Sequence, residues 1–140
     1  MDKKRISSYR ETQIKTASRG QLVVLLYEGL IKFLDIALEN IPKKEYERVN
    51  TNVLKAQDII TELILSLNLE AGEISTQLLN IYTFLNSKLI EANVKKNPEP
   101  LRFVRSMVCE LRDAWKEIAK RGGNPDLNEM KKEGGFDVSG

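Results

Sequence analysis

The chain has 140 residues, 41% of them apolar and 30% charged, enough for one domain with its own core and too apolar for disorder throughout. Its 22 basic and 20 acidic side chains leave a net charge of +2, too small on its own to argue for nucleic acid or a membrane surface. Histidine is absent and Cys109 is the only cysteine, which excludes histidine triads, HExxH zinc sites, the Glu-x-x-His di-iron pattern, cysteine-rich zinc sites and an internal disulfide.

Residues 1–17 read as a polar arm with isolated apolar groups, Ile6, Tyr9 and Ile14, and residues 1–19 hold six basic against two acidic side chains. There is no apolar signal region and no apolar run of about 18 residues to span a membrane. A lone thiol fits a reducing compartment, so the expected location is cytoplasmic. Ile6 and Tyr9 are three apart and share a face if the arm turns helical. The arm is either a disordered leader or a segment that docks reversibly on an apolar groove.

Ser18 and Gln21 have capping-box spacing and open a helix predicted over 19–40. Val23, Leu26, Leu30, Phe33 and Ala37 recur at intervals of three and four, and Leu22, Tyr27, Leu34 and Leu38 widen the stripe. Gly29 costs a helix interior about 1 kcal/mol relative to alanine, which fits close helix packing or a shallow pocket for a partner side chain. Pro42 stops the helix. A second helix is predicted over 43–68, where Val49, Val53, Ala56, Ile60, Leu63 and Leu67 form a bundle seam flanked by Ile59 and Ile64.

The third predicted helix, 73–96, has Ile74, Leu78, Ile81, Leu85, Leu89 and Ala92 as its main stripe, with Leu79, Tyr82, Phe84 and Ile90 outside it. Its apolar arc covers roughly two-thirds of the circumference at 100° per residue. The fourth, 98–121, opens on Asn97 as N-cap, Pro98 in the first turn and Glu99 at the positive dipole end. Leu101, Val104, Val108, Leu111, Trp115 and Ile118 form its seam, Cys109 sits one position off it in a packing role, and Gly122, Gly123 and Pro125 end it. Residues 122–140 read as a flexible polar tail with two basic and four acidic side chains.

No segment reads as a strand, and the links are short, so the expected fold is all-α: an antiparallel up-down four-helix bundle over 18–121 between an arm (1–17) and a tail (122–140). No spacing suggests carboxylate-only or Ser–Lys chemistry, so no catalysis, metal or cofactor is expected. The first and third helices carry more apolar surface than a bundle seam needs. Either neighbouring helices cover it, or it binds a partner. Tyr27 and Tyr82 suit an interface rim or a buried site with satisfied hydroxyls.

The residues together resemble the FliS family of flagellar export chaperones over about residues 5–120. The resemblance rests on Ile6-x-x-Tyr9, Ser18-x-x-Gln21-Leu22, Leu26-Tyr27-Glu28-Gly29, and Lys55-Ala56-Gln57-x-Ile59-Ile60-x-x-Leu63 with Leu67-Asn68. It continues through Gly72-Glu73-Ile74, Leu79-x-Ile81-Tyr82-x-Phe84-Leu85, Leu89-Ile90-x-Ala92-Asn93 and Arg112-Asp113-Ala114-Trp115-Lys116. Arg19 stands where members often have proline. The resemblance implies a bundle that holds the disordered C-terminal segment of flagellin in the cytosol, blocks its premature polymerisation and docks on a component of the membrane export gate. It also implies that the arm, with Ile6, Tyr9 and Ile14, competes with the client as a lid. With the wide apolar arcs, it places Leu22, Tyr27, Leu30, Tyr82, Leu89 and Asn93 along the client groove. A homodimer is one form open to the client-free chain; stable membrane insertion and nucleic-acid binding are not expected. Two other classes stay open: a regulatory adaptor for a different helical partner, and a basic-armed nucleic-acid-binding bundle, which strong salt dependence would mark.

Overall fold

Each helix boundary follows from a local signal. At Pro98 the missing N–H costs nothing in a first turn, and the Asn97 side chain accepts the Glu99 N–H at 3.1 Å. Before it, Lys96 adopts a left-handed conformation (φ 51°) that stops the preceding helix. Asn68 caps a single 3-10 turn by accepting the Glu70 N–H at 3.1 Å, and Gly72 (φ 115°) takes a conformation that side-chain-bearing residues avoid.

The computed structural model describes residues 19–121. Its elements are α1 (Arg19–Asn40), α2 (Tyr46–Leu65), the 3-10 turn Leu69–Ala71, α3 (Glu73–Lys95) and α4 (Pro98–Lys120). No strand occurs among the described residues. The arm, the Ser18 cap and the 122–140 tail lie outside them. The second predicted helix is shorter than expected at both ends. Lys44, at φ 58°, holds a turn after Pro42, so α2 starts at Tyr46. At the other end, the Ser66 N–H donates to the Glu62 carbonyl and the Leu67 N–H to the Ile64 carbonyl, which closes the helix.

The links are too short to retrace helices about 30 Å long, so successive helices run antiparallel. Each helix packs on its chain neighbours, and α4 returns to α1, closing a square. α1 lies closest to α2 and α4, while α3 sits further from its two neighbours. The seams are stitched differently. Between α1 and α4, Arg105 donates to both Asp35 carboxylate oxygens at 2.5 and 3.3 Å, and Lys116 lies 3.9 Å from Glu28. Between α2 and α3 the bonds are amide to amide: Gln57 to Asn86 at 3.1 Å and Asn93 to Asn50 at 2.7 Å.

The seams predicted for α2 and α4 are the observed ones: Val49, Val53, Ala56, Ile60 and Leu63, then Leu101, Val104, Val108, Leu111, Trp115 and Ile118 are buried. Leu67 is half-buried. The phases of α1 and α3 differ from expectation. On α1 the core takes Val24, Tyr27, Ile31 and Leu34 beside Val23, Leu30 and Ala37, and leaves Leu26 and Phe33 half-exposed. On α3 it takes Ser75 and Tyr82 where Ile74 and Ile81 were expected. Where two-thirds of a helix is apolar, hydrophobicity alone does not fix which third faces inward.

Candidate functional site: an apolar groove between the first two helices

Tyr27 and Tyr82 meet at the centre of the bundle, across the diagonal from α1 to α3. Their hydroxyl oxygens are 2.5 Å apart, and the residues are 0% and 2% exposed. Burial, reinforced by the neighbouring Tyr82, holds the Tyr27 pKa well above its ordinary value. Burial likewise pushes Tyr82 up to about 12. The Trp115 indole N–H approaches Tyr27 without completing a hydrogen bond. Both tyrosines are neutral core members.

That placement bears on the six residues expected along a groove, four of which are buried. Tyr27, Leu30, Tyr82 and Leu89 all lie in the core and present no surface to a client in the closed bundle. Asn93 is half-buried and occupied: its amide donates to Asn50, and its side-chain oxygen accepts from Lys96 Nζ at 2.5 Å. Leu22, by contrast, lines an open groove. Ile6, Tyr9 and Ile14 lie outside the described residues.

The groove runs along the outer face of α1 and α2 and has a volume of about 470 Å³. Its floor and walls include Leu22, Leu25, Leu26, Phe33 and Ile59, each half-buried. Leu26 and Phe33 are the side chains released when the α1 core turned toward Val24, Tyr27 and Ile31. Gly29 sits at mid-groove, where a Cβ would come 3.2 Å from Ile59 Cδ1. The glycine brings the two helices together there, which explains its tolerance inside α1. Sequence periodicity assigned Leu26 and Phe33 to the core; Gly29 was the signal that pointed to this face.

The groove has a charged frame of uneven sign. At one end Arg19 donates to the Ser66 carbonyl at 3.1 Å, and Glu62 stands on the α2 wall between that end and Ile59. At the other end are Lys32 on α1 and Lys55 on α2, whose Nζ lies 5.5 Å from the Phe33 ring centroid. A second apolar feature lies on α3 and α4, where Phe84 and Phe103 pack edge to face with centroids 5.9 Å apart.

No described helix is long and apolar enough to cross a membrane, and among the described residues no cluster of acidic or cysteine side chains is placed to hold a metal ion. What the geometry provides is shape and apolar surface suited to an extended or helical peptide.

Comparison with known proteins gives the same direction. A family profile described as "Flagellar protein FliS" matches residues 2–122. The flagellar secretion chaperone FliS of Bacillus subtilis (strain 168) is 36% identical over 111 residues, covering 79% of this chain and 83% of the relative. That of Vibrio cholerae is 33% identical over 114 residues, covering 77% and 80%, and that of Escherichia coli (strain K12) is 28% identical over 109 residues, covering 76% and 80%. An all-α bundle with apolar surface to spare, matched by the family profile over both its arm and all four helices, belongs to the FliS family of flagellar secretion chaperones.

Proposed function

We propose that this chain is a cytosolic chaperone for flagellin. In this reading it holds the disordered C-terminal segment of the client along the α1–α2 groove, prevents its premature polymerisation and presents it to a component of the flagellar export gate. The observation that carries the reading is the groove itself: half-buried Leu22, Leu25, Leu26, Phe33 and Ile59 remain uncovered by the other described helices. An amphipathic client segment binds such a surface by burying its apolar face. At about 25 cal/mol per Å² of apolar surface removed from water, a few anchor side chains suffice to offset the cost of ordering the segment.

The competing-lid role of residues 1–17 belongs to the same reading. The arm joins α1 at Arg19, at the Ser66 end of the groove, so Ile6, Tyr9 and Ile14 are tethered beside it at high effective concentration.

The test is titration of the chain with a peptide of the flagellin C-terminus. Leu26→Asp and Phe33→Asp place a charge on the groove wall and should each weaken binding at least about tenfold, the equivalent of 1.4 kcal/mol. Phe84→Asp, on the opposite side of the bundle, should leave binding unchanged. Helical circular dichroism must be retained in all three. Undiminished binding by both folded groove variants would place the client elsewhere.

A further inference from the structure

We propose that residues 122–140 fold back onto the bundle and hold the Lys32–Lys55 end of the α1–α2 groove when no client is bound. Three observations converge on this. The first is charge. Lys32 pairs with no carboxylate among the described residues, and Lys55 has only the Phe33 ring beneath it. Residues 122–140 carry Asp126, Glu129, Glu133 and Asp137 against Lys131 and Lys132. Residues 1–17 are net basic and are repelled from the two lysines. The other end has Glu62 beside Arg19 and no net charge of its own. The Lys32–Lys55 end is the one with a sign to match, and of the two chain ends the acidic tail matches it.

The second observation is reach. Lys116 beside Glu28 fixes the end of α4 against the first half of α1. Lys32 lies four residues beyond Glu28 and Arg121 five residues beyond Lys116 on the antiparallel helix, so at 1.5 Å per residue the two are about 14 Å apart along the axis. Phe136 follows Arg121 by fifteen residues, which span about 50 Å when extended. The arm cannot cover the same ground with its nearest anchor, because Ile14 is only four residues from Ser18.

The third is chemistry. Phe136 and Val138 flank Asp137, so one short stretch offers an aromatic and a branched apolar group to the wall by Phe33, and a carboxylate to the two ammonium groups. Effective concentration for a short flexible tether is in the mM range. A contact with a dissociation constant of about 1 mM is then occupied roughly half the time, while a client of higher affinity displaces it. The contact is intramolecular, so it stands or falls independently of which client the groove takes.

The experiment uses the full chain with Cys109→Ser and Ser139→Cys, carrying a nitroxide on the new thiol, and reads amide signal loss by NMR. Signals of Lys32, Phe33 and Lys55 should fall by about half or more, as a half-occupied contact at mM effective concentration requires. The loss should disappear in Lys32→Glu/Lys55→Glu and shrink in 0.5 M salt. Phe136→Ala should reduce it without changing the charge. A label-free control guards against a perturbed fold: truncation after Arg121 in the otherwise unaltered chain should shift the same amides and leave those of Phe84 and Phe103 in place. Signal loss spread evenly over four helices, loss centred on Phe84 and Phe103, or loss that survives the double charge reversal would each overturn the proposal.

Discussion

The Tyr27–Tyr82 hydroxyl pair gives a sharp test of how this core is held. Each ring is buried with its hydroxyl bonded to the other at 2.5 Å. Replacing one tyrosine by phenylalanine removes one oxygen and strands the other away from water. A buried hydroxyl left without a partner costs about 1–3 kcal/mol, whereas removing both partners of a bond together is close to neutral. The structure adds an asymmetry. In Tyr82→Phe the surviving Tyr27 hydroxyl still has the Trp115 indole N–H within approach, so it can gain a new bond. In Tyr27→Phe the surviving Tyr82 hydroxyl has no such substitute. The expected order of destabilisation is therefore Tyr27→Phe first, Tyr82→Phe second, and the double variant least. For a domain of about 100 residues, 1 kcal/mol moves Tm by about 4–8 °C, so the single variants should be resolved by thermal circular dichroism and quantified by urea unfolding. The sum of the single costs should exceed the cost of the double variant by at least about 1 kcal/mol. Additive costs, or single variants within about 0.5 kcal/mol of the parent, would refute the bond as a structural element.

The same pair predicts a weakness at high pH. Tyr82 is raised to about 12 from 10.0, so the unfolded chain ionises first; the stabilisation is whole below pH 10 and is lost as pH rises from 10 to 12. At 1.36 kcal/mol per unit the loss is on the order of 3 kcal/mol, measurable as a falling urea midpoint that Tyr27→Phe/Tyr82→Phe should lack. Gly29→Ala should change stability by less than about 1 kcal/mol, since the gain in helix propensity offsets the 3.2 Å approach to the flexible end of Ile59. Gly29→Leu, by contrast, should fill mid-groove and weaken the flagellin peptide at least about tenfold (1.4 kcal/mol) with helical content intact. Asp35→Asn should cost less than about 1 kcal/mol, because its ion pair with Arg105 is about half exposed and such pairs contribute little.

Much of the architecture was legible in the sequence because α2 and α4 are narrow-striped. In α4 only one face is apolar, so Leu101 through Ile118 had one way to turn. In α1 and α3 the apolar arc is wide, and periodicity admits several rotations of the helix about its axis. What decided between them was packing across the bundle: two large tyrosines fill its centre only if Tyr27 and Tyr82 face each other and bond. That pairing joins residues 55 positions apart, and no local pattern encodes it. Choosing the inward face of α1 also chose its outward one, so Tyr27 and Leu30, expected along a groove, fell into the core for the same reason that Leu26 and Phe33 fell out of it. Gly29 was the exception, since a glycine inside a long helix marks a close approach whichever way the helix turns.

The two kinds of stitching on opposite sides of the square make the bundle respond unevenly to its surroundings. Asp35–Arg105 and Glu28–Lys116 tie α1 to α4 through formal charges near the surface, and dissolved ions compete for both partners. The Gln57–Asn86 and Asn50–Asn93 amides between α2 and α3 are neutral, so added salt does not screen them in this way. Raising the ionic strength therefore works as a one-sided lever. It slackens the joint between the first and last helices and leaves the α2–α3 joint as it was, so hydrogen exchange in concentrated salt should quicken first along α1 and α4.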